Sequence, residues 1–102
     1  MWPFTKRSTK KDVSLDQLLE LTKVLVDRSD ESFYSGYSPA EISADLAVAL
    51  SAIERGETLN KNTLRMHFGP TGPIQETAME SGWADEYLRL ADLFDGAIEQ
   101  VR

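Results

Sequence analysis

Apolar positions recur at spacings of three and four along most of the chain, and no convincing strand-like alternation accompanies them. Leu15, Leu18, Leu19, Thr22, Leu25 and Val26 share one face of a helix predicted over residues 14–29, with Val24 widening that face. Ser14 and Gln17 have capping-box spacing, and Asp16 lies in the first turn, where an acid suits the helix dipole. Lys23 and Asp27 stand four apart on the other side, a separation at which opposite charges support a helix.

A second helix is predicted over residues 39–55. Ser38 suits its N-cap, Pro39 its first position and Glu41 its third. Ile42, Leu46, Ala49, Leu50 and Ile53 form a stripe. Ala40, Ala44, Ala47, Val48 and Ala52 broaden it until little polar face remains. That breadth predicts a central helix packed by neighbours on two sides. Gly56 ends it. A shorter helix is expected from about residue 60 to 67, with Asn60 as cap. It places Leu59, Thr63, Met66 and Phe68 near one side and Leu64 beside them. A single helical turn followed by a loop is the alternative.

The stretch from Phe68 to Trp83 joins and orients the last two helices. Gly69-Pro70 interrupts the third helix, because the residue before a proline is pushed out of the helical region. Gly72-Pro73 repeats the punctuation and starts a short helix, with Pro73 at its first position and Ile74 and Ala78 inward. Gly82 is its expected left-handed cap. The last helix, over residues 83–100, has the most regular stripe: Trp83, Tyr87, Leu90, Phe94, Ala97 or Ile98, and Val101. Asp85 is expected to pair with Arg89 across one turn. Gly96 costs about 1 kcal/mol against alanine inside a helix, so it signals close packing of another helix or a frayed end.

These elements predict an all-α domain over residues 14–102, a compact four- to five-helix bundle or orthogonal helical array. Before it, residues 1–13 form a basic and aromatic N-terminal arm. A chain of 102 residues with 41% hydrophobic positions makes one domain with one modest core. The net charge is −6, unevenly spread: residues 1–11 carry Lys6, Arg7, Lys10 and Lys11 and no acid, while the rest carries 7 basic and 17 acidic side chains. Such an acidic body repels phosphate, which disfavours nucleic acid and favours a basic protein partner. No run is long enough to span a membrane. Trp2 and Phe4 beside the lysines suit a solubilising tail, an arm packed back on the domain, or a weak contact with an anionic bilayer surface. No apolar segment of the secretory kind follows these charges. The absence of cysteine excludes thiol chemistry and fits a reducing, cytoplasmic location.

Candidate chemistry is sparse. His67 is the single histidine, and with no cysteine the sequence supplies no zinc set, so no metal or cofactor is expected. The two glycines before Pro73 lack the Lys-Ser or Lys-Thr pair and the preceding strand of a phosphate loop. Glu76 and Glu80 lie one turn apart, an arrangement that serves acid–base chemistry only where a pKa is raised, and is otherwise a solvated helix surface. With no catalytic set, the sequence reads as a non-enzymatic protein-interaction domain of inhibitor, immunity or adaptor type. A structural or regulatory homo-oligomer is the alternative. Rigid aromatic and proline side chains give the candidate partner surface: Tyr34 and Tyr37 in the 30–37 loop, and Phe68, Pro70, Pro73, Trp83 and Tyr87 around the double turn.

Overall fold

The computed structural model describes residues 13–30 and 36–101. Those residues form five helices and no strand: α1 (Leu15–Asp27), α2 (Pro39–Arg55), α3 (Lys61–Phe68), α4 (Pro73–Ser81) and α5 (Ala84–Glu99). The all-α reading holds. Residues 1–12, with Trp2, Phe4 and the basic cluster, and Phe33 and Tyr34 of the aromatic loop, lie outside the described residues.

α1, α2 and α3 start where their cap chemistry directs. The Ser14 amide donates to Gln17 Oε1 at 3.3 Å, and the Ser38 amide donates to Glu41 Oε1 at 2.8 Å. The Glu41 amide returns a bond to Ser38 Oγ at 3.1 Å, completing the reciprocal box. Asn60 Oδ1 accepts the Thr63 amide at 3.1 Å, so the third segment is a true helix and not a lone turn. α2 and α4 end on Gly56 and Gly82, both left-handed at φ 70° and 85°.

α1 packs most extensively on α2, then on α5 and α4; α4 bridges α3 and α5. Leu18, Leu19 and Val26 of α1 meet the core with Ile42 and Leu46 of α2, Leu64 of α3, Ile74 of α4 and Phe94 of α5. Each fully buried aliphatic of this set contributes about 1.5–3 kcal/mol relative to exposure. Polar links tie the seams. The Ser43 side chain of α2 hydrogen-bonds Asp27 of α1 and, with Lys23 3.1 Å away, lowers the Asp27 pKa. At the far end of α1, the Asp30 amide donates to Ser81 Oγ at 3.1 Å.

Three local expectations are corrected. α2 is not buried around most of its girth. Ala44, Ala47 and Val48 face outward, Val48 at 69% exposure, because α1 covers one flank and the broad alanine run leaves the other uncovered. In α3 the core side runs through Leu64, His67 and Phe68, while Met66 is exposed. Arg89 reaches Glu86 at 2.5 Å, three residues back, and not Asp85.

The double turn uses its residues unexpectedly. Gly69 and Gly72 both have negative φ, −75° and −81°. The left-handed residue is Thr71, at φ 58°. This costly conformation for a β-branched residue is held from both sides: the Thr71 amide donates to Gln75 Oε1, and Thr71 Oγ1 donates to the Pro70 carbonyl. Gly72 serves close approach instead. A Cβ there would lie 2.4 Å from the Met66 carbonyl oxygen. Gly96 is the opposite case, since α5 runs unbroken past it and a Cβ would meet nothing within 4 Å.

The two glycines therefore predict opposite outcomes. Gly72→Ala forces backbone atoms apart and should lower stability by about 1–3 kcal/mol. Gly96→Ala should raise it by about 0.5–1 kcal/mol. Urea unfolding with an unchanged m-value checks both, and equal effects would refute the assigned roles.

Candidate functional site

A cleft of about 530 Å3 opens between the turn after α3 and the outward side of α5. Phe68, Tyr87, Phe94 and Ile98 line its depth. Arg65, Pro70, Gln75, Leu88, Asp95 and Glu99 reach its edge. The Phe68 and Phe94 rings stack nearly parallel, with centroids 4.3 Å apart and planes within 6°. This contact holds α3 on α5.

Tyr87 fixes the corner of the cleft. Its hydroxyl lies 2.9 Å from the Phe68 carbonyl oxygen and 3.1 Å from that of Gly69, and donates to this pair. These carbonyls sit at the C-terminal end of α3, where helical acceptors lack partners of their own. Burial, and then the negative Asp95, raise the Tyr87 pKa above its ordinary value of 10.0. At the edge, Arg65 approaches Glu99 at 4.0 Å; both are exposed, so the pair adds little stability and leaves the edge acidic through Asp95.

The sequence-predicted partner residues are dispersed among several environments. Phe68, Pro70 and Tyr87 meet at the cleft; Pro70 is exposed, while the rings of Phe68 and Tyr87 are buried. Pro73 is buried at the start of α4. Trp83 lies half-buried at the α1 end of the molecule, where its indole N–H donates to Ser29 Oγ at 2.7 Å. Ser29 in turn donates to the Leu25 carbonyl at 2.7 Å. Tyr37 is half-buried and sets its ring edge-on to His67, with centroids 5.0 Å apart and planes at 76°. Tyr34 lies outside the described residues.

Leu88, Asp95 and Glu99 complete the cleft's outer edge. They stand seven and four residues apart on α5, a spacing legible in the sequence as one helix face. The partner of His67 was hidden, because it comes from another helix. His67 is fully buried, and its Nε2 lies 2.8 Å from Asp45 Oδ2 on α2. Its Nδ1 has no hydrogen-bond partner among the described residues, nor has the buried Thr77 Oγ1. A carboxylate acceptor places the proton on Nε2, leaving Nδ1 of the neutral ring as a bare acceptor. Among the described residues no three acidic or histidine side chains converge as a metal set. No helix among them is long and apolar enough to cross a membrane.

Comparison with protein-family models, curated proteins and solved structures gives no match for the chain. The cleft therefore has to be read from its own chemistry.

Two measurements check this geometry. Tyr87→Phe should cost about 1–2 kcal/mol in urea unfolding by taking the hydroxyl donor from the Phe68 carbonyl, whereas the Gly69 carbonyl keeps the Gly72 amide. A raised folded pKa confers stability present below the unfolded value and lost as pH climbs through the folded one. The wild type should therefore lose a stability component as pH rises past 10.0 that Tyr87→Phe lacks. Nitrogen-15 NMR of the neutral His67 ring should show the Nε2–H tautomer; the Nδ1–H tautomer would refute the Asp45 pairing.

Proposed function

We propose that this chain is a non-enzymatic protein-interaction domain that takes a basic segment of a partner protein at the cleft beside the 68–73 turn, as an inhibitor, immunity-type protein or adaptor does. The observation that carries this reading is the division of labour along the cleft. Its inner side is aromatic and aliphatic, its outer edge presents Leu88 at 61% exposure, and Asp95 and Glu99 stand beside it. An apolar residue of the partner can occupy the recess, while a flanking lysine or arginine meets Asp95 and competes with Arg65 for Glu99. Such charges set encounter rate and orientation more than affinity, and the buried apolar contact sets lifetime.

The seam is preorganised by the Phe68–Phe94 stack and the Tyr87 hydroxyl. A rigid seam loses little conformational entropy on binding. The overall acidity works in the same direction, drawing basic surfaces and repelling nucleic acid. The reading places the protein in a reducing cytoplasmic compartment, in keeping with its lack of cysteine.

The test is affinity capture from native extract with the full chain, with Asp95→Lys/Glu99→Lys, and with Leu88→Ser. One basic protein should be retained by the wild type, and each variant should weaken its binding by at least about 10-fold. The charge-reversal variant should also flatten the salt dependence. Capture that survives both variants at unchanged affinity removes the cleft as the site, and the absence of any captured protein removes the reading.

A further inference from the structure

The acidic cleft lies on one flank of α5, and a second recess lies on the other. Between α1 and α5 runs a groove of about 390 Å3, lined by Leu21, Val24 and Leu25 of α1 and by Leu90 and Leu93 of α5. Leu21 is 57% exposed and Val24 47%. A recess of this size takes aromatic rings, and contiguous exposed apolar surface marks a place of docking. The charges in its lining, Glu86 and Arg89, are paired with each other. Exposed acids border it on both sides: Glu20, with Asp16 one turn before it, on α1, and Asp85 and Asp92 on α5. Arg28 stands one turn beyond Val24, toward the far end of α1.

An apolar floor with an acidic rim repels a second acidic body and attracts a basic segment that carries apolar side chains. The chain itself holds such a segment. Trp2 and Phe4 flank Pro3, and Lys6, Arg7, Lys10 and Lys11 follow, with no acid among residues 1–11. The rings suit the floor and the cations suit the rim. Reach agrees as well. Val13, at the root of the segment, is half-buried against the core next to the start of α1. Leu21 and Val24 lie six and nine residues beyond Leu15, about 9 and 14 Å along the helix. Phe4 precedes Val13 by nine residues, which span up to about 30 Å. The rings therefore reach the groove with length to spare for reversing direction. The order matches too, because cations nearer the root pass Asp16 and Glu20 before the rings meet Leu21 and Val24.

Tethering decides between this occupant and a free ligand. A segment attached so close to the groove meets it at an effective concentration of about millimolar, which a separate molecule has to exceed. We infer that the basic, aromatic segment of residues 2–11 seats in the α1–α5 groove of its own chain, with Trp2 and Phe4 over Leu21, Val24 and Leu93, and Lys6 and Arg7 along the acidic rim at Glu20. The seat takes exposed aliphatic surface out of water and neutralises acids on that flank of the molecule. It occupies a different face from the cleft and does not depend on the cleft binding a partner.

Methyl NMR of the full chain tests this. Nuclear Overhauser contacts should join the Trp2 ring to the methyl groups of Leu21, Val24 and Leu93, with Trp2→Ala separating its signals from those of Trp83. Trp2→Ala/Phe4→Ala should shift these methyl resonances by removing the ring currents. Lys6→Glu/Arg7→Glu, and separately Glu20→Lys, should move them part of the way to the same positions. Combining those two changes should bring them back toward the wild type, a rescue that no folding defect can imitate. Asp95→Lys/Glu99→Lys should leave the contacts intact, which separates this seat from the cleft. A Trp2 ring without contact to the three side chains overturns the inference, as does one in contact with Leu88 and Ile98 instead. Charge variants without effect overturn it too. So do contacts that arise between differently labelled chains in a mixed sample, since the occupant is then the arm of another copy.

Discussion

The Tyr87 hydroxyl, shared between the Phe68 and Gly69 carbonyls, is the contact through which α5 is set on the end of α3. α3 ends at a turn whose next proline cannot donate an amide, so its terminal acceptors need a donor from elsewhere. Tyr87 provides one from the far side of the 69–72 turn and α4. Because its ring is buried between α3 and α5, the donor is held in place by packing as well as by the bond. The Phe68–Phe94 stack then aligns the two helices along their length. α4 is short, and its placement follows from these constraints: Gly72 lets the chain pass against the Met66 carbonyl, and Pro73 starts the helix at once. At the opposite end, Trp83 and Ser29 close the circuit back to α1.

The helices were legible in the sequence because their signals are local. Ser14–Gln17, Ser38–Pro39–Glu41 and Gly82 act within one turn of the chain, and each does in three dimensions what its spacing implies. The last stripe was equally plain, with Tyr87, Leu90, Phe94, Ala97 and Ile98 all buried. The failures have a common cause. Whether the alanines of α2 are covered depends on how many neighbours α2 has, and helical periodicity does not encode that number. Arg89 had acids at both three and four residues' distance, and side-chain direction, which spacing alone does not give, selects Glu86. The same holds at the turn, where the Gly-Pro pairs read as punctuation, while the need for Gly72 comes from the Met66 carbonyl that passes where its side chain would be.

The candidate site was only partly legible for a related reason. Clustering near turns marks aromatic residues as surface, but a ring near a turn is as useful for bracing it as for meeting a partner. Phe68 and Tyr87 brace; Pro70 remains exposed beside them. What the cleft presents outward comes instead from Leu88, Asp95 and Glu99, residues ordinary in composition and informative only once α3 lies beside them. The His67–Asp45 pair is the extreme case. Its members are 22 residues apart on different helices, and neither stands out except by meeting the other.

α5 carries a strict inward stripe and two unlike outer flanks, so its sequence is at once regular and uneven. Its inward stripe is the core, and its spacing is strict because packing tolerates little variation. One outer flank concentrates acids beside a recess, a combination that would discourage self-association wherever it faced its own copy. The other flank pairs Arg89 with Glu86 and includes a glycine that no described neighbour requires. The stripe stays strict while the flanks differ, because only the inward side chains are held by packing against other helices.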